Sequence, residues 1–324
     1  LVQLDQRDHV RHVPAEGGVR VAVRDGEGVD DAGGVFGTTK DLHKKFGKDR
    51  VMDTPLAENA ITGIAIGAAI AGMRPIFVHM RVDFLPLTMD QIMNHAAKWH
   101  YMFGGALSVP LTVRSIIGRG WGSAAQHSQS LQALFAHIPG LKVVMPANPY
   151  DAKGLLRASV YDGNPVIFIE HRWLYEHIGH VPKEPYTVPI GKGIVRRKGA
   201  DVTIVALSLM VFEAMQAADV LSIDGIECEV IDLRTVKPMD KGLILESLSK
   251  TGRLVVADTG WKDCGVGAEV AAVAAEDGFD YLKAPVIRIA LPECPTPAGH
   301  ILEREFYPGK DQIVAAIKKI FSIR

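Results

Sequence analysis

The chain has 324 residues, 48% of them hydrophobic, which is long for one core and enough to bury two. Its 36 basic and 37 acidic residues are well mixed and leave a formal charge of -1, so the charge points neither to nucleic acid nor to an anionic membrane surface. Cys228, Cys264 and Cys294 lack CxxC spacing, which argues against a disulfide scaffold or zinc ribbon. No apolar run approaches the roughly 20 residues of a membrane helix, and the start lacks a signal-peptide pattern, so a cytoplasmic protein is expected.

Short β-branched runs alternate with longer helical patterns, the signature of α/β units around a mainly parallel sheet. Strands are predicted at "RPIFVHM" from Arg74, "VPLTVRS" from Val109, "LKVVMP" from Leu141 and "NPVIFIE" from Asn164. Helices are predicted near Ala57–Ala71, Leu87–Met102, Ser128–Ala136 and Pro149–Val160, with Gly72 suited to end the first. In "VPKEPYTVPIGKG" three prolines fall close together without amphipathic period, the composition of an extended connection. The alternation then restarts with "DVTIVAL", "CEVIDL", "RLVVAD" and "APVIRIA", with helices between them and a tail helix last. The expectation is two doubly wound α/β domains, 1–180 and 196–324, joined by a linker over 181–195.

Glu58 stands alone at the head of a segment of small and apolar residues, "ENAITGIAIGAAIAG". Thr54 and Pro55 read as a helix cap and first-turn pair, but a capping box would place the acid at position 57, which is Ala. A first-turn carboxylate also suits the helix dipole, and that plain reading stands beside a functional one. Gly63, Gly67, Ala68, Ala71 and Gly72 would let another backbone approach closely, and a glutamate beside such an interface is partly desolvated and prepared to share a proton. "GRGWGSAAQHSQS", Gly118 to Ser130, is a Gly-rich loop placing His127 near a helix start, where a neutral imidazole is favoured. A lone histidine is more often structural than catalytic. No P-loop, dinucleotide fingerprint, GxSxG elbow, HExxH or EF-hand loop occurs, so nucleophilic and zinc chemistry lose support.

In order along the chain, "DTPLAEN", "AAKWHYMFGG", "AQHSQSLQALFAHIPGLKVVMPANPYDAKGLL", "DGNPVIFIEHRWLY", "CEVIDLRTVKPMD" and "KTGRLVVADTG" resemble the β-subunits of thiamine-diphosphate-dependent 2-oxoacid dehydrogenases. These are the pyruvate, branched-chain and acetoin dehydrogenase E1 group of the transketolase superfamily. The resemblance runs from about Gly26 to the end. It implies a pyrimidine-binding domain followed by a transketolase C-terminal domain. It also implies that Glu58 hydrogen-bonds N1′ of the cofactor's aminopyrimidine and shares a proton with it, a general acid–base role. Glu27, within the retained "GEGV", Leu56 and Phe84 are implied as cofactor-binding, Phe84 by packing against the pyrimidine ring. His127 matches the family's active-site histidine, a proton donor or a group orienting the lipoyl thiol. "SVYDGNPV" resembles a stretch that binds structural potassium in some relatives through backbone carbonyls and Asp162, with Asn164 beside it; a turn before a strand explains both residues equally well.

The superfamily's diphosphate and magnesium site uses a GDG motif followed by Asn-Asn, and no GDG occurs here. The resemblance therefore implies an α-subunit that carries Mg2+, an α2β2 heterotetramer and a lipoyl-bearing E2 acyltransferase as partners. Before about Val19 little of the family's pattern remains. "IIGRGWG" and "RVDFLP" differ from the pyruvate-specific pattern, which keeps another 2-oxoacid or acetoin open as substrate. A non-catalytic subunit supporting assembly is disfavoured by the joint retention of Glu58 and His127, and a nucleotide-binding oxidoreductase by the missing fingerprint.

Overall fold

The computed structural model describes residues 20–25, 37–118 and 122–322. The described residues divide between two units, one falling within Leu1–Ile117, Leu134–Val144 and Asn148–Ile190, the other within Gly118–Ala133, Met145–Ala147 and Gly191–Arg324.

Within the first unit the chain runs β1 (Arg20–Asp25), α1 (Leu42–Phe46), β2 (Val51–Asp53), α2 (Glu58–Ile70) and β3 (Met73–His79). A helical stretch ending in α3 (Ala97–Met102) leads to β4 (Thr112–Ile117). Next come α4 (Gln132–Ala136), whose first two residues group with the other unit, β5 (Lys142–Val144), α5 (Pro149–Tyr161) and β6 (Val166–His171). The strands lie in the order β5-β6-β4-β3-β1-β2, every neighbouring pair parallel. Parallel pairs require crossovers, and α2, the stretch ending in α3, and α5 supply them. All six residues of β6 are buried, which is why it reads as an unbroken run instead of alternating.

The helices depart from expectation in instructive ways. α2 begins at Glu58 with Ala57 as its N-cap and no side-chain cap; Thr54 lies outside it, its hydroxyl buried without a hydrogen-bond partner. The single helix expected over Leu87–Met102 is three successive pieces. A 3-10 stretch spans Val82–Thr88 with Pro86 inside it, a π-helical stretch spans Asp90–Ala96, and α3 follows. The helix expected from Ser128 starts only at Gln132. Ser128 instead gives its carbonyl to the Tyr307 hydroxyl at 3.2 Å, a tertiary partner replacing a helical one. α5 is conventional: the Asn148 side chain accepts from the Asp151 N–H at 2.9 Å and Pro149 opens the first turn.

The proline-rich stretch expected to connect the domains lies along α5. Tyr186 stacks on Tyr150 with centroids 4.5 Å apart, and the Val188 N–H donates to the Gly154 carbonyl at 3.1 Å. Gly154 has no room for more: a Cβ there would sit 2.5 Å from Val188.

The second unit is built from β7 (Ile194–Arg197), β8 (Val202–Ala206), α6 (Leu209–Ile223), β9 (Cys228–Asp232), β10 (Thr235–Lys237) and α7 (Lys241–Thr251). It continues with β11 (Leu254–Trp261), α8 (Val266–Glu276), β12 (Ile287–Leu291), α9 (His300–Phe306) and α10 (Lys310–Ser322). Its sheet order is β12-β11-β8-β9-β7, parallel except for β7 against β9. The core joins Val202, Ile204, Val230 and Val255 of the sheet to α6 and to Ile313, Ile317 and Ile320 of α10. Burying each such isoleucine contributes about 1.5–3 kcal/mol. Because β9 and β11 leave β8 on opposite sides, the carboxyl ends of β8 and β11 form a topological switch point, where open α/β sheets commonly hold ligands. The short elements α1, β2, β7 and β10 escaped prediction because three to five residues cannot display a period.

Candidate active site

Glu58 opens α2 and is half-buried, its backbone carbonyl accepting from the Thr62 hydroxyl at 2.7 Å. The inner face of the helix, Ile61, Thr62, Ala65, Ile66 and Ala69, is buried and fixes which way the helix lies. Its other face is open. Ile64 is 50% exposed, a Cβ at Gly67 would meet nothing within 4 Å, and one at Gly63 would touch only the Gln91 side chain at 3.2 Å. Leu56, two residues before Glu58, is 70% exposed. The 3-10 stretch that packs on α2 carries Phe84, which is half-buried. Glu58, Leu56 and Phe84 thus belong to one unit and to neighbouring elements, whereas Glu27 lies outside the described residues.

His127 belongs to the second unit, half-buried in a segment without regular structure that precedes α4. Gln132, at the end of that segment, is fully buried and donates from Nε2 to Asp258 Oδ1 at 2.7 Å. Burial raises the Asp258 carboxyl's pKa, opposed by the Gln132 hydrogen bond and by the nearby backbone dipoles of Gly260, Thr259 and Val266. The bond spans 126 positions, so no local signal in the sequence could have shown it.

Asp162 and Asn164, the candidate potassium ligands, sit where α5 ends. The Asp162 carboxylate pairs with Lys142 and also accepts from the Asn164 N–H at 2.9 Å, a turn before β6. The backbone carbonyls there are taken as well: Arg74 Nη1 donates to Val160 at 2.8 Å and to Asp162 at 2.9 Å. With a guanidinium and an ammonium already on these oxygens, the residues present do not fit a further cation. Among the described residues no group of three or more His, Cys, Asp or Glu side chains is arranged to hold a metal ion.

Sequence reasoning also missed a buried ion pair. Arg114 of β4 pairs with Glu170 of β6, its Nη2 3.0 Å from Oε1, with both side chains about nine-tenths buried. Burial opposes the Arg114 charge, but attraction to Glu170 and the bonds between them outweigh it and raise the guanidinium's pKa. Tyr175 beside them is pushed well above its ordinary range, by burial first and then by the Glu170 charge. The available signal was a charge inside each of two apolar strands, "LTVRSII" and "VIFIEH".

The transketolase pyrimidine binding domain matches residues 16–177 and the transketolase C-terminal domain residues 191–313. The β-subunit of the acetoin:2,6-dichlorophenolindophenol oxidoreductase of Cupriavidus necator is 48% identical over 90% of this chain and 87% of its own. The chain belongs to the β-subunit family of the 2-oxoacid and acetoin dehydrogenases. Other members are the 2-oxoisovalerate dehydrogenase subunit beta of Bacillus subtilis, 46% identical over 91% of each chain, and the pyruvate dehydrogenase E1 component subunit beta of Rickettsia felis, 43% identical over 91% of this chain and 90% of its own. Among solved structures, a split gene transketolase, described as an inactive β4 tetramer, superposes with a TM-score of 0.76 at 25% identity, covering 94% of this chain and 92% of that one.

Membership of this pyrimidine-binding family implies thiamine diphosphate. The first unit's residues fit its pyrimidine half: a carboxylate at a helix start, an exposed leucine two residues away, a half-buried phenylalanine on the packed element, and the unpartnered Thr54 hydroxyl. No helix among the described residues is long and apolar enough to cross a membrane.

Proposed function

We propose that this chain is the β-subunit of an E1 heterotetramer that oxidatively decarboxylates a 2-oxoacid and passes the acyl group to a lipoyl arm. The observation that carries the reading is Glu58 at the open start of α2, with Leu56 and Phe84 on adjacent backbone, in a chain 43–46% identical to β-subunits of 2-oxoacid dehydrogenases. When bound, thiamine diphosphate supplies the electron sink for decarboxylation. Leu56 and Phe84 would hold and orient the pyrimidine through apolar contact, and the Glu58 carboxylate would hold a proton at N1′. His127 would donate or orient a proton in acyl transfer to the lipoyl thiol. Mg2+ belongs to the α-subunit's half of the site, since this chain lacks the GDG motif.

The exposed apolar side chains Leu56, Ile64, Leu87, Met93, Tyr101 and Phe103 extend through α2 and the helical stretch after β3, and support a partner chain on that side of the first unit. The lipoyl-bearing E2 acyltransferase completes the complex. Acetoin is the second substrate reading, favoured by the 48% identity to the C. necator oxidoreductase subunit. The test is to co-express the chain with an α-subunit of the family and follow reduction of an artificial electron acceptor by a panel of 2-oxoacids and acetoin, with and without thiamine diphosphate and Mg2+. Cofactor-dependent turnover of a 2-oxoacid is expected. Turnover of acetoin alone selects the second reading, and none with any substrate removes both.

A further inference from the structure

We propose that Gln132 and Asp258 are positioning residues for His127, forming a buried tether that holds the 122–131 segment and through it the imidazole; this rests on His127 acting in acyl transfer. The segment has no helix or strand to fix it, so its place depends on side-chain anchors. Two flank His127. One residue on, the Ser128 carbonyl accepts from the Tyr307 hydroxyl at 3.2 Å; five residues on, Gln132 bonds Asp258 at 2.7 Å with both side chains at most 1% exposed.

Asp258 lies within β11, so Gln132 is fastened to the carboxyl end of the sheet, and the atoms the bond leaves over, Asp258 Oδ2 and Gln132 Oε1, are buried without a hydrogen-bond partner. This is the switch point beside β8, with Ala257 paired to Ala206. A position that open α/β sheets commonly give to a ligand is here engaged by the chain's own glutamine. The neighbouring backbone accommodates it: a Cβ on Gly260 would lie 2.9 Å from Gln132 Nε2 and 3.1 Å from Asp258 Oδ2. Gly260 is required by the tether and not by its own backbone angles, because its φ is not positive.

The test uses the assembled α2β2 holoenzyme and separates acyl transfer to a lipoyl domain from reduction of an artificial acceptor, which does not require that transfer. Gln132→Leu removes the donor, and Gly260→Ala displaces it from another part of the chain. Both should slow lipoyl acylation at least about tenfold, since small misplacements of catalytic groups are costly, while the artificial-acceptor rate and tetramer elution stay as in the wild type. Amides of 122–131 should exchange faster with deuterium in both variants. Adding Gln132→Leu to His127→Ala should bring no further loss, because the tether acts only through the imidazole. A slow His127→Ala enzyme beside a normal Gln132→Leu enzyme would overturn the tether alone, as would additive losses in the double variant or equal loss in both assays. Full acylation in His127→Ala would overturn the assignment of His127 and the tether with it.

Discussion

Arg74 donates to the Asp162 carbonyl at 2.9 Å, and the same Nη1 reaches the Val160 carbonyl at 2.8 Å, so the end of α5 carries its own cation. The segment resembles a potassium-binding stretch, yet a guanidinium does what a bound ion would do for those oxygens. Thermal stability should therefore be the same in potassium as in choline chloride at equal ionic strength. Arg74→Ala should lose about 1–3 kcal/mol by leaving the carbonyls unpaired, and part of that should return specifically with potassium. A wild-type melting point that rises with potassium alone would contradict this account of the site.

The Arg114–Glu170 pair makes a different prediction, because its members are buried together. Arg114→Met should destabilise the protein by about 3–5 kcal/mol by stranding the carboxylate, and adding Glu170→Leu should recover most of the loss. Urea unfolding of the single and double variants measures both. A double variant no more stable than Arg114→Met would show that the pair does more than neutralise itself.

His79, buried at the end of β3, has its pKa lowered to about 4 by burial. Its folded pKa lies below the unfolded value near 6.5, so the unfolded chain binds the proton more readily between the two. The stability from the neutral ring is present above pH 6.5 and is lost as pH falls toward 4, ~3 kcal/mol across the window. His79→Phe should flatten that part of the stability profile. An unchanged acid limb would place the sensitivity elsewhere.

These features show what sequence reading reaches and where it stops. The strands were legible because both sheets are mostly parallel and buried, so "NPVIFIE" and "DVTIVAL" stand out as apolar runs. Glu58 was legible because one acid heads a helix of small residues. Its mechanistic meaning came only with the ordered family motifs. The helix expected from Ser128 was misread because local propensity is weak there and a tertiary partner, Tyr307, decides. Arg74 on the α5 carbonyls and Gln132 on Asp258 join positions 86 or more residues apart, and no window along the chain contains both ends.

Lys250 and Ser247 both bind Glu229, and Thr203 bonds Ser247 at 2.7 Å, so the buried carboxylate of β9 depends on neighbours from two other elements, α7 and β8. Ser247→Ala should cost about 1–3 kcal/mol in chemical unfolding while leaving turnover unaltered, since these residues lie in none of the elements assigned to catalysis. A loss of activity without loss of stability would tie this network to function.

In the proposed mechanism Glu58 would hold the proton at the cofactor's N1′. The most direct test is exchange of the thiazolium C2 proton in the assembled, thiamine-diphosphate-loaded protein, comparing Glu58→Gln with the wild type by quenched-flow deuterium exchange and NMR. An intact heterotetramer in which exchange slows by about 10²-fold or more is expected. Exchange at the wild-type rate in Glu58→Gln would contradict that role.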